Sequence, residues 1–164
     1  GARAYATAGT AAKCEACVRL GATAAINYRD EDFAERIAAL TGGAGVDVVL
    51  DIVGAPYFER NLKCLALDGR LVQVAVQGGA RSEGLDLFLV MRKRLVITGS
   101  TLRPRTTGEK GAIAAALRAK VWPVLDAGRA GPLIHRVFPF GEAAAAHRLM
   151  ESSEHVGKII LEVA

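Results

Sequence analysis

Ala6-Thr7-Ala8-Gly9-Thr10, followed closely by Lys13, sets a glycine and a hydroxyl at the end of a short apolar run and an ammonium just beyond them. Glycine there permits close approach of a ligand to the backbone. Thr10 can donate a hydroxyl hydrogen bond, and Lys13 a charge-assisted one to an anion such as a phosphate. If the run is the second strand of a dinucleotide fold, its tip meets the adenosine ribose. An acid at that tip accepts from the 2′-hydroxyl of NAD, whereas a basic neighbour accommodates the 2′-phosphate of NADP. No acid stands here and a lysine does, so the pattern favours NADPH. The structural alternative for the same residues is Thr10 as a helix N-cap and Lys13 as a solvated cation.

Val53-Gly54 and Ala75-Val76-Gln77 follow the ends of two further apolar runs, on the side where open α/β sheets hold ligands, and would serve equally as turns. Other chemistries find no constellation. His135, His147 and His155 stand apart, with no Ser/His/Asp or metal-ligand spacing, so no catalytic acid or base is assigned. Cys14-Glu-Ala-Cys17 forms a CxxC inside a predicted helix, and no second pair completes a zinc site. With Cys64 the cysteine count is 3, an odd number that reads as reduced thiols. No metal site is expected.

The elements that must position these residues alternate strand with helix. Ala4–Thr7 reads as a strand, Ala11–Leu20 as a helix capped by Thr10 and ended by Gly21, and Ala25–Asn27 as a strand. A helix over Asp32–Leu40 leads to Val46–Asp51, an apolar run suited to burial on both faces. Helix Tyr57–Ala66, strand Arg70–Ala75 and strand Leu95–Ser100 follow. Lys110–Ala127 is helical with a kink or break at Pro123, and the chain closes with strand Leu133–Phe138, helix Phe140–Ser153 and strand Lys158–Val163. The fold class is therefore α/β: an incomplete doubly wound parallel Rossmann sheet, lacking its first strand and glycine-rich turn, plus a C-terminal β-α-β return segment. In the order 3-2-1-4-5-6 the absent strand lies centrally. Its neighbours would then pair directly, or receive a strand from another chain or from the rest of a longer polypeptide. Residues 1–130 form the cofactor-binding portion in this reading, and 131–164 the return segment.

Composition bounds the rest. The 164 residues are 51% hydrophobic and 23% charged, an ordinary globular balance, with no apolar run long enough for a membrane helix and no signal-peptide pattern. The cytoplasm is the expected compartment. Net charge is +4, but the basic residues are scattered and aromatics are only 5%, which argues against nucleic acid as a partner.

The ordered set Ala6-Thr7-Ala8-Gly9-Thr10 with Lys13, Leu20-Gly21-Ala22, Ile26-Asn27-Tyr28, Gly45-Val46-Asp47, Asp51-Ile52-Val53-Gly54, Asn61 to Arg70, Gln77-Gly78-Gly79, Thr101 to Arg105 and Val156 to Leu161 resembles the zinc-independent quinone oxidoreductases of the medium-chain dehydrogenase/reductase superfamily, zeta-crystallin branch. The resemblance implies hydride transfer from NADPH to a quinone or another conjugated carbonyl. It also implies a parent enzyme of which this chain is the C-terminal portion, with the substrate cleft largely in a preceding catalytic region and the isolated chain inactive. By the same resemblance Tyr28 lies near the adenosine phosphate, Val53 and Gly54 near the cofactor, and Ala75, Val76 and Gln77 along the nicotinamide ribose. Thr101, Leu102, Arg103 and Lys158 match further cofactor contacts. A homodimer through the edge strand Val96–Ser100 is expected on the same ground. The competing functions are an enoyl-thioester reductase of the same superfamily and a non-catalytic module that dimerises or binds nucleotide or RNA.

Overall fold

A computed structural model describes residues 1–163. The chain divides into two compact units, Gly1–Arg105 and Thr106–Ala164. The first runs β1 (Tyr5–Ala8), α1 (Ala11–Arg19), β2 (Ala24–Asn27), α2 (Phe33–Leu40), β3 (Val46–Asp51), α3 (Phe58–Cys64), β4 (Leu65–Gln73), α4 (Leu87–Lys93) and β5 (Val96–Gly99). Strands β1 and β2 pair in parallel, and β3, β4 and β5 form a separate parallel sheet in that order. The α/β class with parallel strands and crossover helices is thus as read from sequence. Strands β1 and β3 do not pair directly: residues of both line a groove of about 720 Å³ that lies between them.

Helix α1 starts where Thr10 is extended (φ −150°) and its hydroxyl oxygen accepts from the Lys13 N–H. Asp32 does the same for α2, accepting from Ala34 and Glu35, and Asp86 for α4, accepting from Leu89. One apolar cluster gathers Ile26, Phe33, Ala34, Ile37 and Cys64, and a second Leu62, Leu65, Leu71, Leu89 and Leu95. Val46 and Val49 of β3 touch both clusters, because a register shift between Val46 and Val48 puts them on one face of the sheet. Helices α2, α3 and α4 pack successively on that face.

The structure corrects several boundaries. The expected helix Tyr57–Ala66 is a 3₁₀ turn, Ala55–Tyr57, followed by α3, and the chain passes straight into β4 at Leu65. Burial of Leu65 decides this, together with the Lys93 ammonium, which donates to the carbonyls of Leu62, Lys63 and Leu65 and so caps α3. Strand β4 stops at Gln73, two residues short of Ala75. Helix α4 was not legible in the sequence, although its Asp86 cap precedes an apolar run.

In the second unit, α5 (Thr107–Lys120) opens on a capping box between Thr106 and Glu109, and α6 spans Trp122–Asp126. The break falls at Val121, with Pro123 in the first turn of α6, where a missing N–H costs nothing. Strands β6 (Ile134–Pro139) and β7 (Lys158–Glu162) pair in parallel across α7 (Ala143–Ser152), with Phe138 and Ala146 buried between them. This is the β-α-β return segment expected from the sequence. No helix among the described residues is long and apolar enough to cross a membrane.

Burial pushes the Cys64 thiol up to about 11, whereas Cys14 and Cys17 are half-buried. In the folded chain at pH 8, dithionitrobenzoate is expected to titrate Cys14 and Cys17 and to reach Cys64 only on unfolding in urea. Rapid reaction of all three without denaturant would contradict this packing.

Candidate functional site

The parallel register Ala8↔Asn27 carries the ends of β1 and β2 out side by side, so the residues after them become neighbours. Gly9 faces the Tyr28 side chain so closely that a Cβ added to it would lie 2.6 Å from the phenol oxygen and 3.3 Å from Nε of Arg29. Only a residue without a side chain leaves that phenol and guanidinium over the strand tip. Thr10 and Lys13 stand immediately beyond, in the N-cap and first turn of α1. Four sequence-derived candidates, Gly9, Thr10, Lys13 and Tyr28, therefore gather at one end of the β1-β2 pair, and Arg29 joins them. The sequence reading missed Arg29; its signal was adjacency to Tyr28 on a strand that pairs with the Gly9 strand.

Of the acids that follow Arg29, Asp30 stays at this end of β2, and Glu31 and Asp32 turn to α2. Asp30 accepts from the Asn27 amide, Glu31 pairs with Arg36 at 3.6 Å, and Asp32 caps α2. The groups of the tip suited to a phosphate ester are the Lys13 and Arg29 cations and the Tyr28 phenol. Tyr28 is held edge-on against Tyr57, ring centroids 6.1 Å apart, and Tyr57 packs at 4.8 Å on Phe33 under the Arg60 guanidinium. Burial raises the Tyr57 hydroxyl above its usual range, so it stays a neutral donor. Burial also raises the Cys14 thiol above its usual range, the opposite of what activates a thiolate nucleophile.

A second group lies beyond the ends of β3 and β4. Buried Asp51 accepts from the N–H groups of Val53 (2.7 Å) and Gly54 (2.9 Å), fixing the turn. Gly54 has φ +89°, and a Cβ there would collide with the Gly79 carbonyl. The loop after β4 is stitched to this turn: Gln77 donates to the Ile52 carbonyl, Gly78 to Val53, and Ala55 back to Gly79. Gly54 and Val76 thereby line a cavity of about 290 Å³ with Phe58, Gln73 and Ile97. Ala75 is half-buried and Gln77 exposed in the same loop.

Thr101, Leu102 and Arg103 follow β5 in an exposed turn closed by Arg105 donating to the Leu102 carbonyl. Lys158 belongs to the second unit, where it opens β7 and its N–H donates to Leu133 at 2.7 Å. Among the described residues no group of three or more His, Cys, Asp or Glu is placed to hold a metal ion. The first-unit candidates all lie beyond the carboxyl ends of parallel strands, where open α/β sheets bind ligands.

Residues 20–161 match the family model described as zinc-binding dehydrogenase. The chain belongs to this family. It is 32% identical over 98% of its length to quinone oxidoreductase 1 of Escherichia coli, covering 49% of that protein, and 33% identical over 98% of its length to a Burkholderia 2-haloacrylate reductase, covering 48% of it. It also matches a mycocerosic acid synthase-like polyketide synthase of Mycobacterium tuberculosis at 32% identity, over 99% of the chain and 8% of that protein. Among solved structures, Escherichia coli quinone oxidoreductase complexed with NADPH superposes with a TM-score of 0.78 at 31% identity, covering 98% of the chain and 50% of that structure. An NAD-dependent alcohol dehydrogenase gives a TM-score of 0.78 at 34% identity, covering 100% and 45%. The chain thus spans about half the length of the single-enzyme relatives it matches.

The two glycines differ in what a methyl group would meet. Gly54→Ala puts a side chain at positive φ against backbone and should cost about 1–3 kcal/mol in urea titrations. Gly9→Ala meets only the movable ends of the Tyr28 and Arg29 side chains, so it should leave the urea midpoint nearly unchanged while displacing the phenol, seen as shifted Tyr28 ring resonances. Equal destabilisation by both would contradict the assigned geometry.

Proposed function

We propose that the chain is the cofactor-binding portion of an NADPH-dependent, zinc-independent reductase of the quinone oxidoreductase type, zeta-crystallin branch. The observation that carries this reading is the strand tip where Gly9 leaves room for the Tyr28 phenol and the Arg29 guanidinium, with Lys13 in the adjoining helical turn and no acidic residue among Ala8, Gly9 and Thr10 at the end of β1 itself. An acid there would accept from a ribose 2′-hydroxyl and repel a 2′-phosphate. The residues present fit NADPH at this end: Lys13, Tyr28 and Arg29 would hold the 2′-phosphate, with Thr10 as a further hydroxyl donor. Val53, Gly54 and the Ala75-Val76-Gln77 loop would run along the nicotinamide end, and Thr101, Leu102, Arg103 and Lys158 would add contacts.

When bound, NADPH supplies a hydride to the conjugated carbonyl acceptor, a quinone or enone, and leaves as NADP. The chain's own residues bind and orient; none is assigned to move the balancing proton, which solvent delivers to the reduced oxygen. In this reading residues 1–130 carry the cofactor, 131–164 join the substrate-facing region supplied by the rest of a longer enzyme, and the protein works in the cytoplasm. The edge of β5, where Val96 and Ile97 are exposed, pairs two copies into a homodimer. Ile97→Lys should then convert the dimer to a monomer in sedimentation; an unchanged dimer would reject this edge.

A second reading, an enoyl-thioester reductase, draws on the match to polyketide synthases over 99% of the chain. The two differ in the acceptor and share the cofactor tip.

Calorimetric titration of the chain with NADPH and NADH tests the cofactor assignment. Lys13→Ala should weaken NADPH by about 1.5–3 kcal/mol through loss of a charge-assisted hydrogen bond, and leave NADH nearly untouched. Equal losses for both cofactors would remove Lys13 as the discriminator.

A further inference from the structure

Of the cysteines, only Cys64 has a packing role: it sits in the apolar cluster with Ile26, Phe33 and Ile37. Cys14 and Cys17 are half-buried and belong to neither cluster, and their helix α1 buries Ala16 alone. The burial expected of small apolar thiols therefore explains Cys64 and does not explain the pair.

What distinguishes the pair is its geometry. Both residues lie inside α1, three positions apart, so their side chains are neighbours on one side of the helix. From the rise and radius of an α-helix, their Cα atoms are about 5 Å apart. A disulfide spans roughly 4.4–6.8 Å between Cα atoms, so rotation about the side-chain torsions brings the sulfurs into bonding range without moving the backbone. The two already act on each other, since a charge on Cys17 raises the Cys14 thiol. Cys14 also reaches the strand tip: its sulfur hydrogen-bonds the main chain of Ala8, the last residue of β1, and it feels the carboxylates of Asp30 and Glu31 beyond β2. Glu15 and Arg19 pair on another face of the helix and leave the thiols uncovered.

The electrostatics of the pair favour the bond over the free thiols. A stabilised thiolate favours the reduced form of a dithiol and makes its disulfide a strong oxidant. At Cys14 burial does the reverse, so closure is slow and the closed form, once made, is retained.

We propose that Cys14 and Cys17 form a redox-sensitive dithiol, which a small-molecule disulfide oxidises to an intrahelical disulfide, and that its closure is felt at the end of β1. One cysteine thiolate attacks a sulfur of the oxidant, breaking the oxidant's S–S bond and releasing one thiol, which takes up the proton the cysteine has lost. The other cysteine then attacks the cysteine sulfur of the mixed disulfide, forming the Cys14–Cys17 bond and releasing the second thiol with the second proton. Two electrons pass from the dithiol to the oxidant. Closure draws the Cys14 sulfur toward Cys17 and away from Ala8, the residue next to Gly9. No cofactor takes part in the step.

The test is equilibration of the intact chain with mixtures of oxidised and reduced glutathione, followed by alkylation in urea and trypsin. Cleavage after Lys13 and Arg19 leaves both cysteines in one peptide, Cys14 to Arg19, apart from Cys64. In oxidising mixtures that peptide should lose two hydrogens and take no alkyl group, in about tenfold or greater excess over glutathione adducts, while Cys64 is alkylated. The Gly9 amide and Tyr28 ring resonances should shift with closure and return with dithiothreitol. In Cys14→Ser, where only Cys17 of the pair can react, the same treatment should leave them unmoved. Glutathione adducts in place of the closed pair, two free thiols in the most oxidising mixture, or a bond to Cys64 or to a second copy would each overturn the proposal. So would closure that leaves the Gly9 and Tyr28 resonances where they were.

Discussion

The buried carboxylate of Asp51, accepting from Val53 and Gly54, is the interaction on which the first unit turns. A carboxylate buried without donors costs several kcal/mol, so the two N–H groups are a condition for Asp51 to be there at all. Those donors exist only if the chain bends sharply at the end of β3, which requires Gly54 at positive φ. The bend then brings the turn against the loop after β4, where the bonds to Gln77, Gly78 and Gly79 leave no freedom for either. One ion-dipole contact at a strand end thus sets the floor of the cavity lined by Gly54 and Val76. The same strand anchors the interior through Val46 and Val49, so the site and both apolar clusters share one rigid element.

Much of this was legible because it depends on local chemistry. Apolar runs bounded by glycines marked β3 and β1, and Thr10 and Asp32 sit where caps must sit. The Gly9-Thr10-Lys13 tip could be read because glycine, hydroxyl and cation lie within one turn of each other. Arg29 could not, since its place beside Gly9 follows from the register of two strands separated by a helix. The role of Asp51 was hidden for a related reason: an acid ending an apolar run reads as a boundary, and only burial reveals it as an acceptor. Helix α4 was obscured by Arg92, Lys93 and Arg94, three consecutive cations that interrupt the apolar run at its end. Lys93 instead turns inward to the end of α3, and Arg94 pairs with Asp68.

The two sheets also differ in how firmly they are built. The three-stranded sheet is packed by three helices on one face, whereas β1 and β2 form a two-stranded pair, marginal by itself in water. Helix α1 buries only Ala16 among its residues, so it adds little. What secures the pair is α2, whose Phe33 and Ile37 reach Ile26 and Tyr5, and the Tyr28–Tyr57 contact at the strand ends.

The Gly9 tip and the turn at Gly54 consequently stand on different sheets. A dinucleotide spanning them would depend on the angle between those sheets, which the Phe33, Tyr57 and Tyr28 ladder sets through apolar contact, without main-chain pairing. Rotamer-level adjustment of aromatic rings is soft compared with a hydrogen-bonded ladder, so affinity for a long ligand is reduced by the ordering it must impose. The gap between the sheets therefore bears on any ligand long enough to reach both strand ends, because its ordering cost depends on how firmly the two sheets are held together.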